Sequence, residues 1–373
     1  MNGNNFNNQG LKPRIIIAPL DWGLGHATRC IPIIKELIYL KCEVIVVASK
    51  GTFALLKKEF PTLVFLRFNG YEIEYSRDRK KFLSKILLQF PKVVFSVWRE
   101  NKWLRKIIVK HKIDAVISDN RFGMYSKKIP SIYITHQLRI KTGNHSTEII
   151  AQKIHYYFIK KYSQCWIPDN KETGLAGELS HPQIIPFNVI FIGPLSRFKP
   201  LPNIEKIYDL LITISGPEPG RTIFENKILH KLQSFPGKAL LIRGLPSDIY
   251  KLPSSDLFEI ENHLSSEELN KAFEQSKMVI GRSGYTTIMD LAALRKKAIL
   301  IPTPGQTEQE YLAKYLFEKK YFFTADEENF SMEDALKKVS EFNFENIDVP
   351  LGEYKKPISE FVLSLKSGNF ASQ

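Results

Sequence analysis

Ile15-Ile16-Ile17-Ala18-Pro19-Leu20-Asp21-Trp22-Gly23-Leu24-Gly25-His26-Ala27-Thr28-Arg29 decides the fold. The β-branched run reads as a buried strand, and the two glycines after it let backbone pass close to a ligand. A helical pattern then starts near His26. A helix start offers unpaired N–H groups and a partial positive charge. In open α/β sheets ligands bind just past the carboxyl ends of strands, which is where this order puts Gly23, Gly25, His26 and Arg29. Read plainly, His26 closes a turn; read chemically, it meets a polar substrate. The loop is not a dinucleotide fingerprint: Thr28 stands at the third glycine position, and Ala48-Ser49 replaces the acidic residue expected at the end of the next strand.

Outward from this loop the same alternation continues. Strand-like runs fall at 14–18, 43–48, 64–68, 115–118, 131–135 and 164–167, with helical patterns at 27–40 and 147–162. The strands are rich in Val and Ile without clean alternation, which suits a parallel sheet covered on both faces. Gly193-Pro194-Leu195-Ser196-Arg197-Phe198-Lys199-Pro200-Leu201-Pro202 then reads as a linker. The pattern restarts with strands at 209–214, 239–243, 257–261, 278–280 and 298–301 and helices at 221–233, 267–275, 286–294 and 308–318. At 373 residues the chain exceeds one ordinary core. The expected class is α/β, with two Rossmann-like doubly wound parallel-sheet domains facing across a cleft. Residues 1–12 read as a flexible leader, 13–195 as the N-terminal domain and 196–206 as the linker. Residues 207–350 read as the C-terminal domain, and 351–373 as a helical tail that packs back on the first domain.

Composition narrows the class. Lys plus Arg number 53 against 39 Asp plus Glu, a formal charge of +14. Such an excess favours a phosphorylated substrate, an anionic membrane surface or nucleic acid, and equally describes a solvated basic surface. Cys30, Cys42 and Cys165 have no metal-ligand spacing, and their odd number argues against a disulfide framework. Met1 to Gly10 lacks the apolar segment of a signal peptide, and no run is long enough to span a bilayer, so the chain reads as cytoplasmic.

Three further stretches carry chemistry. Asp119 ends the apolar run Ala115-Val116-Ile117-Ser118 at the same sheet edge as the glycine loop. A carboxylate there can hold one nitrogen of His26 and stabilise its protonated form; it can equally cap a turn. Ser215-Gly216-Pro217-Glu218-Pro219-Gly220-Arg221 lies between a strand and a helix, where glycine and serine make a phosphate-binding turn and Arg221 can add a fork of donors. Arg282-Ser283-Gly284-Tyr285-Thr286-Thr287 again leads a strand into a helix, with Asp290 placed to accept from vicinal hydroxyls. The stretch Thr303-Pro304-Gly305-Gln306-Thr307-Glu308-Gln309-Glu310 brings amide and carboxylate groups that suit sugar hydroxyls.

Together these blocks resemble the GT-B glycosyltransferases. The second half is similar to the nucleotide-sugar half of the N-acetylglucosaminyltransferases that complete the peptidoglycan lipid precursor, through Arg282-x-Gly284, Thr287, Asp290, Pro302 and Gln309. The UDP-glycosyltransferases share a related pattern, with glutamate where Asp290 stands. The resemblance implies a donor site of Ser215, Gly216, Arg221, Arg282, Ser283, Gly284, Thr286 and Thr287. In it Asp290 holds the ribose, Gln309 and Glu310 meet the donor sugar, and the backbone near Asn262 and Leu264 holds the uracil edge. It also implies His26 as base and Asp119 as its orienter, with Gly23, Gly25 and Arg29 at the acceptor cleft; His136, which ends another strand at the same edge, either lines the acceptor pocket or shares the base role.

The expected activity is transfer of a hexose-type sugar from a UDP-sugar to an acceptor hydroxyl. No cofactor is expected, and no metal, since no Asp-x-Asp pair occurs. The basic, aromatic stretch 79–108, with Trp98 and Trp103, suits peripheral contact at the inner face of a membrane and a lipid-linked or glycan acceptor, or else simply packs its apolar side on the domain. Two other readings compete. Gly23 to Cys30 is similar to the loop of a nucleotide-sugar hydrolase of the same architecture, in which water replaces the acceptor. A nucleic-acid-binding protein is suggested by charge alone and is not expected, since the aromatics form no stacking platform.

Overall fold

The computed structural model describes residues 12–70, 79–172 and 174–368. The leader expected at 1–12 falls almost wholly outside them. Among the described residues the first half builds one parallel sheet from β1 (Arg14–Pro19), β2 (Glu43–Ala48), β3 (Val64–Arg67), β4 (Ala115–Asp119), β5 (Ser131–Ile134), β6 (Gln164–Ile167) and β7 (Val189–Phe191). Their order is β3-β2-β1-β4-β5-β6-β7. The helices α1 (Gly25–Tyr39), α2 (Lys50–Glu59), α3 (Arg79–His111) and α4 (His145–Ile159) make the crossovers. All residues of β4 and β5 are buried, as strands covered on both faces require.

The second half repeats the plan with β8 (Tyr208–Thr213), β9 (Ala239–Ile242), β10 (Phe258–Glu261), β11 (Ser276–Gly281), β12 (Ala298–Leu300) and β13 (Phe323–Thr324), in the order β10-β9-β8-β11-β12-β13. Around them lie α5 (Gly220–Leu232), α6 (Ser266–Gln275), α7 (Tyr285–Ala293), α8 (Thr307–Glu318) and α9 (Met332–Ser340). The last helix, α10 (Lys355–Ser367), returns to the first half: Phe361 meets Trp166 edge-on at 5.6 Å, and Lys366 donates to the carbonyl of Leu40 at 3.3 Å. Residues 192–207 cross between the two sheets.

Strand order reverses between β1 and β4 in one sheet and between β8 and β11 in the other. Such reversals open a crevice at the carboxyl edge. The first crevice receives the glycine loop and Asp119. The second receives 214–219 and 282–284. One apolar cluster joins the halves, with Ile31 and Ile34 of α1, Met289 of α7 and Phe361 of α10 buried together.

Candidate active site

The site starts with backbone. Pro19 of β1 pairs with Asp119 of β4, and the N–H of Leu20 donates to the carbonyl of Asp119 at 2.9 Å. Gly23 then turns at φ +73°, a left-handed conformation that costs glycine nothing. α1 begins at Gly25 with no side-chain cap. His26 and Arg29 therefore rise from the first turn directly over the end of β4.

There the side chains converge. Nδ1 of His26 lies 3.0 Å from Oδ1 of Asp119. Arg29 donates from Nε to Oδ2 of Asp119 at 2.6 Å, and its Nη2 also meets Oδ1. The same Nη2 lies 2.9 Å from Nδ1 of His26, so guanidinium and carboxylate both border that nitrogen. Asp119 and Arg29 are buried, whereas 17% of the His26 side chain remains exposed. Burial alone would lift the Asp119 carboxyl; the Arg29 guanidinium, and then His26, outweigh it and hold it well below the usual carboxylate range. Burial pushes His26 down, against the pull of Asp119. Burial also pushes the Cys30 thiol well up; its Sγ sits 3.7 Å from Oδ2 of Asp119.

The second half closes on this cluster. Oγ1 of Thr286, in the first turn of α7, donates to the carbonyl of Gly25 at 3.0 Å. The starts of α1 and α7 thus meet, and α7 likewise has no side-chain cap at Gly284. His136, two residues past β5, stacks on Tyr285 of α7 with ring centres 4.3 Å apart. Its Nε2 lies 2.6 Å from Oε1 of Glu308 on α8, and its Nδ1 lies 3.1 Å from Nη1 of Arg29. Glu308, Tyr285 and the reach of Arg29 to His136 were not read from the sequence as parts of the site. Glu308 lies in the same stretch as Gln309 and Glu310, but only the fold shows that it, and not they, meets the first half.

Other expected donor residues lie elsewhere. Arg221 is not brought to this junction. Its Nε contacts Glu218 at 2.5 Å, its Nη2 contacts Glu225 at 2.9 Å, and its Nη1 donates to the carbonyl of Arg243 at 3.2 Å. Nor is Arg282: it is buried over the Phe224 ring at 3.9 Å and paired with Glu327 at 2.6 Å, so it serves the core beneath the loop rather than a diphosphate. Asn262 is buried, its side-chain amide donating to the backbone carbonyls of Asp248 and Tyr250, and its own backbone carbonyl accepts from the N–H of Leu245 at 2.8 Å. Leu264 packs half-buried on the apolar cluster.

Asp290 is buried on α7. Its Oδ1 accepts from Ser196 at 2.7 Å, and Oδ2 lies 3.7 Å from Nε of Arg197, so it holds the crossing segment. Burial raises its carboxyl above the usual range in spite of Arg197. Gln309 accepts from the N–H of Thr303 at 3.0 Å and donates to Gln306 at 2.6 Å, and Glu310 accepts from the N–H of Gly305 at 3.0 Å. Both therefore brace the loop ahead of α8. Ser283 donates to the carbonyl of Gln309 at 2.8 Å. Ser215 and Gly216 form the open turn before α5, where Gly216 takes φ +113° with no atom within 4 Å of a β-carbon. Thr287 follows Thr286 in the first turn of α7.

On the outer side of the first half, Trp103 of α3 packs against Phe68 with ring centres 4.7 Å apart, while Val94, Phe95 and Trp98 face solvent. The side chains at 79–90 lie outside the described residues. No described helix is long and apolar enough to cross a membrane.

Comparison with known proteins agrees with the fold. Residues 14–183 match the glycosyl transferase family 1 model, and residues 259–362 match the glycosyltransferase family 28 C-terminal domain. The chain is 26% identical over 333 residues to the UDP-N-acetylglucosamine–N-acetylmuramyl-(pentapeptide) pyrophosphoryl-undecaprenol N-acetylglucosamine transferase of Clostridium perfringens, covering 85% of this chain and 87% of that one. An uncharacterized glycosyltransferase of Methanopyrus kandleri is 23% identical over 291 residues, covering 71% and 78%. Among solved structures, the glycotransferase of kitacinnamycin superposes with TM-score 0.59 at 15% identity, covering 96% of each chain. A spinosyn rhamnosyltransferase complexed with thymidine diphosphate gives 0.59 at 12% identity, covering 95% and 96%. These likenesses show the GT-B fold. With both halves matched by glycosyltransferase models and a charged cluster where the two crevices meet, the chain is a GT-B glycosyltransferase, resembling the enzymes of the peptidoglycan precursor and the UDP-glycosyltransferases.

Proposed function

We propose that this enzyme transfers a hexose-type sugar from a UDP-sugar to an acceptor hydroxyl, with His26 as the base and without a metal ion. The carrying observation is His26 beside Asp119 at the point where α1 meets α7. Nη2 of Arg29 spends its hydrogen on the Asp119 carboxylate, which only accepts; unlike His136, His26 therefore carries its proton on Nδ1 toward Asp119 and presents the Nε2 lone pair. The acceptor hydroxyl gives its proton to Nε2 as its oxygen bonds to the anomeric carbon, and the bond from that carbon to the diphosphate breaks. Asp119 stabilises the imidazolium. The leaving diphosphate moves toward the starts of α5 and α7, whose N–H groups and dipoles offset its charge. Closure of the two halves over the donor excludes water.

The names of the relatives favour a nucleotide diphosphate donor, and the exposed Phe95 and Trp98 on a basic helix favour a lipid-linked or glycan acceptor met at the inner face of a membrane. The reading is tested by a thermal-shift screen of nucleotide sugars, followed by turnover with and without acceptor alcohols. A UDP-sugar that raises Tm and yields product only with an acceptor supports it. Rapid stoichiometric sugar release without acceptor replaces it with the hydrolase.

A further inference from the structure

His136 belongs to the first half by sequence and is gripped by the second. Its ring stacks on Tyr285 at an interplanar angle of 9°, and its Nε2 lies on Glu308. Its other nitrogen faces Nη1 of Arg29. A guanidinium only donates, so Nδ1 accepts; Nε2 then carries the proton and donates to Glu308. The tautomer is set by the contacts on both sides. Arg29 in turn has all three nitrogens engaged, Nη1 by His136 and the other two by Asp119. Asp119 is the group that orients His26.

We propose that Glu308 is a positioning residue for His26, acting through His136, Arg29 and Asp119, so that the base is aligned only while the second half sits against the first. The proposal rests on the reading of His26 above. Without an acceptor for Nε2–H the His136 ring can turn or carry its proton on Nδ1, where it would confront the N–H of Arg29. Arg29 then loses one of its anchors, and the Asp119 carboxylate is no longer fixed in the plane that His26 needs. Small displacements of this kind are costly in rate.

The test uses the full chain with Glu308→Ala and Glu308→Gln, since the glutamine oxygen still accepts from Nε2–H. Nitrogen-15 histidine spectra read the His136 tautomer without turnover. The Nε2–H form is expected in the native chain and in Glu308→Gln, and a mixture in Glu308→Ala. With a UDP-sugar and acceptor, Glu308→Ala is expected to lower kcat about tenfold or more at little-changed donor KM, and Glu308→Gln to recover most of it. If Glu308→Ala does not fold, Glu308→Leu takes its place. A native His136 protonated on Nδ1, an unaltered kcat in Glu308→Ala, or a raised donor KM in both variants at native kcat overturns the proposal. His26→Ala run alongside separates the two claims: if it stays active, the base assignment itself has failed.

Discussion

Oδ1 of Asp119 faces Nδ1 of His26 at 3.0 Å, while Nη2 of Arg29 reaches the same two atoms. A fully buried carboxylate is thereby shared between a permanent cation and a histidine whose proton affinity burial lowers. Orientation comes from the carboxylate, and the low proton affinity of the ring comes from burial and from the arginine.

His26→Ala is expected to lower kcat by about 10²–10⁴-fold, the usual contribution of a positioned base. UDP affinity by calorimetry should stay near the native value. Because burial lowers His26, the acid limb of kcat should fall below the ordinary histidine value of about 6.5. A limb above that value assigns the base to another group.

Asp119→Asn leaves the buried Arg29 without its carboxylate, and removal of one partner from a buried ion pair costs about 3–5 kcal/mol. Denaturant titration at neutral pH should show a loss of that order. The folded pKa of Asp119 is depressed, so its contribution is complete above the unfolded value of about 3.9 and is lost as pH falls toward the folded one. The stability gap between native chain and variant should therefore narrow below about pH 4. A gap that stays constant down to pH 2 would contradict the pairing.

Asp290→Asn separates the two jobs of that side chain. The amide oxygen can still accept from Ser196, and the substitution removes a charge that burial penalises. Tm at pH 7.5 should hold or rise. If the carboxylate exchanges Ser196 for the donor ribose, UDP should bind about tenfold more weakly, the scale of one charge-assisted hydrogen bond. Unchanged affinity leaves Asp290 as a clasp on the crossing segment alone.

Arg282→Ala should damage the fold rather than donor recognition. It strands Glu327 in the interior and uncovers Phe224, with a loss of about 3 kcal/mol or more. The diagnostic is a lower Tm in the absence of ligand. A native Tm combined with a raised donor KM would restore the phosphate-binding role expected from sequence.

The β1–α1 loop and Asp119 were legible because the signal is local: a buried run ends, a helix begins, and parallel packing sets both at one edge. β7 and β13 were not read, being three and two residues long, too short to show a period. Two helices, α2 and α9, were also passed over. The arginines misled for different reasons. Arg221 lies between Glu218 and Glu225 at helical spacing, so its capture was readable from sequence. Arg282 is paired with Glu327 by the folding of the second half, and His136 with Glu308 by the packing of the two halves, across separations that sequence spacing does not reveal.

The chain passes between the halves near Gly193 and returns before α10, and the two passages touch. Gly193 has φ +76°, and a β-carbon there would come within 2.8 Å of the Glu353 side chain. Paired covalent tethers at one spot resist sliding and leave chiefly a swing, with its pivot beside Gly193.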